Sequence, residues 1–211
     1  MTGKVPRIVT LEIAGPAGRL EGILRLPPGE PRRAALLCHP HPLHQGSMHS
    51  PVIFRCARAM HRRDIATLRF NFRGVGRSSG AHDDGRGEKE DVRAALEELC
   101  GRVPDIPITL AGYSFGCRVG FEAAGGDARV DRLLGIGMPV ALGPFDFLAG
   151  IPKPLLLVQG DRDEFGPLPA LERLIRRLGD RSRLRVVAGA DHLFRGELER
   201  LEETLYAALE E

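Results

Sequence analysis

The sequence predicts an α/β fold: a mainly parallel, eight-stranded sheet with an N-terminal antiparallel hairpin and helices on both faces. Three observations carry this prediction. The first two strand-like segments alternate apolar and polar residues, as half-buried strands do. The later ones are continuous apolar runs, the pattern of strands buried on both faces. Helical patterns separate those runs, and a hairpin followed by βαβα units implies parallel strands under helices.

Each element has its own justification. VTLEIAG (9–15) alternates, GPAGR turns, and LEGILRL (20–26) alternates again, which together read as a hairpin. A Pro-rich break at 27–31 ends it. The first continuous run is AALLC (34–38). ATLRFNF (66–72), ITLAGY (108–113), RLLGIGM (132–138), PLLLVQG (154–160) and LRVVAG (184–189) follow. The helix PVIFRCARAMHRR (51–63) opens on proline, which is favoured at the first helical position. In EKEDVRAALEELC (88–100), Val92, Ala95, Leu96 and Leu99 make one apolar face, and the acidic first turn suits the helix dipole. CRVGFEAA (117–124) reads as helix. ALERLIRRLG (170–179) stops at glycine. GELERLEETLYAALEE (196–211) repeats the pattern with Leu198, Leu201, Leu205 and Leu209.

Composition narrows the function classes. At ~100–200 residues per domain, a chain of 211 residues is expected to be one domain spanning 1–211. The 43% apolar and 27% charged residues are the balance of a soluble globular protein. A net charge of +2, with no dense Lys/Arg block, argues against a nucleic-acid partner. No apolar stretch approaches the ~20 residues of a membrane span, and the N-terminus lacks the apolar core of a leader. Cys38, Cys56, Cys100 and Cys117 have no CxxC spacing and lie in apolar segments. They are expected to be inert core thiols, which fits a cytoplasmic protein.

Gly112-Tyr113-Ser114-Phe115-Gly116 carries the strongest chemical signal. This G-x-S-x-G lies between a buried strand and a helix, the context of a nucleophile elbow. The alternative is an ordinary Gly-rich turn. A serine hydroxyl needs a base. His192 in GADHLF, after the last strand, is the candidate, although a surface loop histidine has the same sequence appearance. The base needs a carboxylate to fix its tautomer. QGDRDEFGP, after another strand, offers Asp161, Asp163 and Glu164. The order Ser, acid, His suits such a sheet.

These segments carry a family resemblance over nearly the whole chain. HPHPLHQGSM, LRFNFRGVGRSSG, LAGYSFG, LLLVQGDRDEF and GADHLFRG resemble small bacterial α/β-hydrolases related to dienelactone hydrolase, a group described as predicted esterases. The resemblance implies an α/β-hydrolase fold. It selects Asp163, the last residue of Gly160-Asp161-Arg162-Asp163, as the acid, and His192 of A-D-H as the base. Dienelactone hydrolase itself uses a cysteine where this chain has Ser114.

A tetrahedral intermediate needs two backbone N–H donors. One is expected from Phe115, directly after the serine. The other is expected from His39-Pro40-His41-Pro42-Leu43, where the prolines have no N–H. That leaves His41 or Leu43, and the family's H-G-x loop implies the His41 amide. His39, His41, His44 and His49 also raise a metal site as an alternative, since imidazole suits zinc. No carboxylate or cysteine at ligand spacing accompanies them, so no metal is expected. RGVGRSSG (73–80) lacks the signature of a phosphate loop and reads as structural, with Arg73 and Arg77 as candidate anchors for an acidic substrate.

Many α/β-hydrolases insert a cap domain before the strand PLLLV. Here 140–153 is too short for one, so no cap and an open site are expected, with Phe145, Phe147 and Leu148 as a candidate apolar wall. The resulting expectation is a serine hydrolase of carboxylic esters or thioesters that needs no cofactor and acts on a small-molecule substrate, without nucleic-acid or membrane partners. The alternative is a non-catalytic binding or assembly module on the same fold.

Overall fold

β1 (Arg7–Gly15) and β2 (Gly18–Leu26) form the predicted antiparallel hairpin, paired from Arg7–Leu26 to Gly15–Gly18. Leu11, Ile13, Leu20 and Leu24 point into the core, while Thr10 and Glu12 face water. The structure, a computed structural model, describes residues 5–210. The first four residues, read above for a leader, and Glu211 of the last predicted helix lie outside them.

The six later strands are β3 (Ala34–Cys38), β4 (Ala66–Phe70), β5 (Ile108–Tyr113), β6 (Val130–Ile136), β7 (Leu155–Gly160) and β8 (Ser182–Val187). With the hairpin they make one eight-stranded sheet in the order β1-β2-β4-β3-β5-β6-β7-β8. β2 meets β4 antiparallel, and every pair beyond β4 is parallel. β3 and β5, at the centre, are buried at every residue, as their unbroken apolar sequence requires.

Two apolar layers sandwich the sheet. Val52, Ile53 and Met60 of α1 (Pro51–His61) and Leu201 and Leu205 of α5 (Leu198–Ala208) pack on one face. α2 (Arg86–Arg102), α3 (Phe115–Ala124) and α4 (Leu168–Leu178) cover the other, through side chains such as Leu96, Phe121 and Leu171.

Three strand ends fall two residues before the predicted ones, each for a local reason. After β4, the Asn71 amide still donates to Glu21 O at 2.8 Å in register with β2, but the Phe72 amide turns to His39 Nε2 at 3.0 Å and leaves the ladder. After β6, Gly137 turns with φ +53° and the Met138 amide donates to Gln159 Oε1 at 2.8 Å. After β8, Gly189 turns with φ +81° and its amide donates to Asp161 Oδ1 at 2.7 Å. Helix α2 starts two residues early because Glu88 accepts from the Gly85 amide at 2.9 Å, closing its first turn.

Between β6 and β7 the chain makes only two short 3-10 turns, Val140–Leu142 and Asp146–Gly150, so there is no cap domain. The expected apolar wall is not there. Phe145 and Leu148 are fully buried in the core and Phe147 packs against it, because the 3-10 turn folds that face down onto the α4 side of the sheet. The open mouth of the sheet is left to other residues.

Candidate active site

The carboxyl ends of β5, β7 and β8 bring Ser114, Asp163 and His192 together. Ser114 sits between β5 and α3 with φ +54° and ψ −117°, a conformation that costs a non-glycine residue of order 1–3 kcal/mol. Its amide donates to Ile136 O at 3.0 Å, and its carbonyl accepts from the Cys117 amide at 2.9 Å. The flanking glycines are needed because neighbouring backbone fills their side-chain space. A Cβ on Gly112 would lie 2.5 Å from Cys117 N, and one on Gly116 would lie 2.2 Å from Cys38 O. Gly116→Ala is therefore expected to lower stability by at least ~4 kcal/mol, or ~10 °C in Tm. Gly101→Ala is the control. Its Cβ would meet nothing within 4 Å, so it is expected to raise Tm slightly in a thermal melt.

His192 Nε2 lies 3.0 Å from Ser114 Oγ, and His192 Nδ1 lies 2.8 Å from Asp163 Oδ2. Asp163 is buried. Its Oδ1 accepts from the amides of Phe165 at 2.9 Å and Gly166 at 3.2 Å, and its Oδ2 also accepts from Gln159 Nε2 at 2.5 Å. A carboxylate so surrounded can only accept from His192. Nδ1 then carries the imidazole proton and Nε2 faces the serine as an acceptor. The loops holding the acid and the histidine touch because Gly160 has no side chain, since a Cβ there would meet Ala190 O at 2.2 Å. Tyr113 donates to His192 O at 2.9 Å, and the Phe165 ring stands edge-on to the imidazole at 4.8 Å. Burial pushes the Tyr113 phenol up, which keeps it a donor. The other acids lie apart: Asp161 caps the Gly189 turn and Glu164 is exposed.

The loop after β3 folds against this group. His39 is buried, its Nε2 accepting from Phe72 N and its Nδ1 donating to Pro40 O at 2.6 Å. The Leu43 amide donates to His41 Nδ1 at 3.2 Å and so is engaged within its own loop. Among the described residues, no acceptor meets the amides of His41 and Phe115. The rings of these two residues are 4.8 Å apart.

Sequence reasoning missed four neighbours. Gln159 joins the acid to Met138. Phe165 braces the imidazole. His82 packs on both His41 and Phe115, with ring centroids 4.8 and 5.8 Å away. Its Nδ1 lies 2.8 Å from buried Glu88. Only Glu88 had a sequence signal, as an acid in the first turn of α2. The four clustered histidines do not converge, and among the described residues no group of three or more His, Cys, Asp or Glu could hold a metal ion. Arg73 pairs bidentately with buried Asp91, and Arg77 pairs with Glu21 at 3.0 Å. Both guanidiniums are engaged in bracing loops. Cys38, Cys56 and Cys117 are buried free thiols, the last two pushed up to about 12 by burial.

Burial pushes His39 down to about 4, and burial beside Arg25 and Arg69 pushes His61 down to about 3. An unfolded histidine titrates near ~6.5. Between these values the unfolded chain binds protons that the folded chain refuses. Stability is therefore complete above pH ~6.5 and is lost as pH falls towards 4. At pH 5 the loss from His39 alone is about 2 kcal/mol, at 1.36 kcal/mol per pH unit. Urea unfolding at pH 7 and pH 5 checks this, and equal midpoints would contradict it.

A family model described as an alpha/beta hydrolase domain matches residues 44–210. The chain belongs to the α/β-hydrolase family. This hydrolase is 37% identical to a solved alpha-beta serine hydrolase homologue from Coxiella burnetii, with a TM-score of 0.88, covering 95% of this chain and 97% of that one. It is 31% identical to XC6422 from Xanthomonas campestris, described as a serine hydrolase without lid, with a TM-score of 0.87 and coverage of 97% and 94%. A dienelactone hydrolase from Anabaena variabilis shares the fold at 21% identity, with a TM-score of 0.79 and 96% of each chain covered. Among the described residues, no helix of the hydrolase is long and apolar enough to cross a membrane.

Proposed function

We propose that this hydrolase cleaves carboxylic ester or thioester bonds, with residues 1–211 acting as one domain. Ser114 Oγ attacks the carbonyl carbon while His192 Nε2 takes its proton. Asp163 holds the Nδ1–H and stabilises the imidazolium. The Phe115 and His41 amides stabilise the oxyanion. The carbonyl re-forms, the bond to the alcohol or thiol breaks, and the leaving atom takes the proton from Nε2. Water then attacks the acyl-serine by the same route, releasing the acid and restoring Ser114.

The observation that carries this reading is the hydrogen-bonded line from Ser114 through His192 to buried Asp163, beside two amides without acceptors. With no cap above it, the site favours short or exposed acyl groups, or an ester on a larger molecule. Four free thiols favour a reducing compartment such as the cytoplasm. A panel of esters and thioesters of graded acyl length, run on wild type and Ser114→Ala, tests the proposal. Turnover by wild type alone supports it. A folded wild type that neither turns over any member nor reacts with a fluorophosphonate refutes it.

A further inference from the structure

A groove of about 400 Å³ opens at the amino ends of β5, β6, β7 and β8, the end of the sheet away from Ser114. Its size falls within the ~300–1,000 Å³ of small-molecule sites. Strand register sets its floor. Thr109 pairs with Arg132, and the next row is Leu134, Leu156 and Arg183. Residues two apart on a strand share a face. Arg132 and Leu134 therefore stand side by side on the face that α1 and α5 cover, where Leu134 belongs to the core. Leu209, at the carboxyl end of α5, also lines the groove.

Two polar groups of this floor lack partners. Thr109 is fully buried, and its Oγ1 meets no hydrogen-bond partner among the described residues. Arg132 Nε is buried and likewise makes no hydrogen bond among them. Its acid neighbour, Asp131 Oδ2, is 3.7 Å away and is ion-paired with Arg33. Burial and the neighbouring Arg33 hold the Arg132 guanidinium below its usual range, as expected of a cation short of counter-charge. Buried polar groups are normally paired. A guanidinium N–H and a hydroxyl in register on adjacent strands match the two oxygens of a carboxylate, one accepting from each. Among the lining side chains Asp180 is the one carboxylate, against the guanidiniums of Arg132, Arg181 and Arg183. Arg181 and Arg183 donate to backbone carbonyls, which carry no counter-charge. Leu134, Leu156 and Leu209 supply the apolar remainder, which suits an alkyl chain and opposes a multiply charged, strongly hydrated anion.

We infer that this groove is a binding site for a monocarboxylate with an apolar chain, its head held by Arg132 and Thr109 and its chain by Leu134, Leu156 and Leu209. The site is separate from Ser114, at the other end of β5. The inference goes beyond the esterase reading and does not depend on it.

Titration calorimetry with octanoate, acetate and inorganic phosphate, on wild type, Arg132→Gln and Thr109→Val, tests it. Wild type should bind octanoate saturably and more tightly than acetate, whose single methyl cannot cover the leucines. Arg132→Gln is expected to weaken octanoate binding by about tenfold or more, the scale of a charge-assisted hydrogen bond, and Thr109→Val by about threefold or more. Thr109→Val removes a hydroxyl that is unmet in the free protein, so it should melt no lower than wild type. That separates loss of the site from loss of the fold. Octanoate binding unchanged in both variants would place the ligand elsewhere and overturn the inference. A wild type that does not saturate would overturn it too, as would phosphate binding as tightly as octanoate, which would make the groove a plain anion site.

Discussion

Replacing Ser114 by alanine is expected to lower kcat by ~10⁴-fold or more while changing KM little. The substitution deletes one oxygen and nothing that binds the substrate ground state. His192 keeps its 2.8 Å contact with Asp163, and the amides of Phe115 and His41 keep their places. Residual turnover then comes from these donors acting on a water-borne attack. In the proposed mechanism the three side chains act as a unit, so His192→Ala in the Ser114→Ala background should cost almost nothing more. The fold should survive. The φ of +54° strains alanine about as it strains serine, and the backbone bonds to Ile136 and Cys117 are untouched. Initial rates, mass detection of a fluorophosphonate adduct and a thermal melt make the set complete. A well-folded variant that keeps wild-type turnover would exclude Ser114 as the nucleophile.

The three side chains that the structure brings together were readable from sequence because each is a distinctive residue at the end of a strand. Ser114 is flanked by two glycines that the turn requires, and the acid and histidine follow apolar runs that can only be buried strands. Three acids stayed open on the residues alone. The family resemblance selected Asp163, and the fold supplies the physical difference: its two oxygens collect backbone amides, Gln159 and His192, whereas Asp161 caps a turn. The strand ends were misplaced for the same reason. His39, Gln159 and Asp161 take over amides that periodicity assigned to the ladder, and a side chain reaching from another loop leaves no local pattern. Phe145 and Leu148 illustrate a further limit. An apolar residue in a short linker can line a site or enter the core, and the 3-10 turn at 146–150 decided for the core. His82 gave no signal, since its neighbours His41 and Phe115 come from distant segments.

Asp163→Asn should lower kcat by ~10⁴-fold, equivalent to about 5.4 kcal/mol at 1.36 kcal/mol per tenfold. The geometry dictates which way the amide sits. Two backbone N–H groups, Phe165 and Gly166, aim at Oδ1, so the asparagine oxygen must stay there. Its NH₂ then occupies the Oδ2 position, where it faces Gln159 Nε2 and His192 Nδ1. Toward His192, the only satisfied arrangement has Nδ1 accepting, which moves the ring proton to Nε2. A protonated Nε2 cannot take the proton of Ser114, and the base is lost with every atom still in place. Toward Gln159, two donors meet in a buried space, which costs about 1–3 kcal/mol. The variant should therefore melt lower than wild type yet remain folded at 25 °C. Fluorophosphonate labelling should slow in parallel with ester turnover, because both need the same base. Lowered stability with undiminished labelling would instead mean that Asp163 only braces the loop.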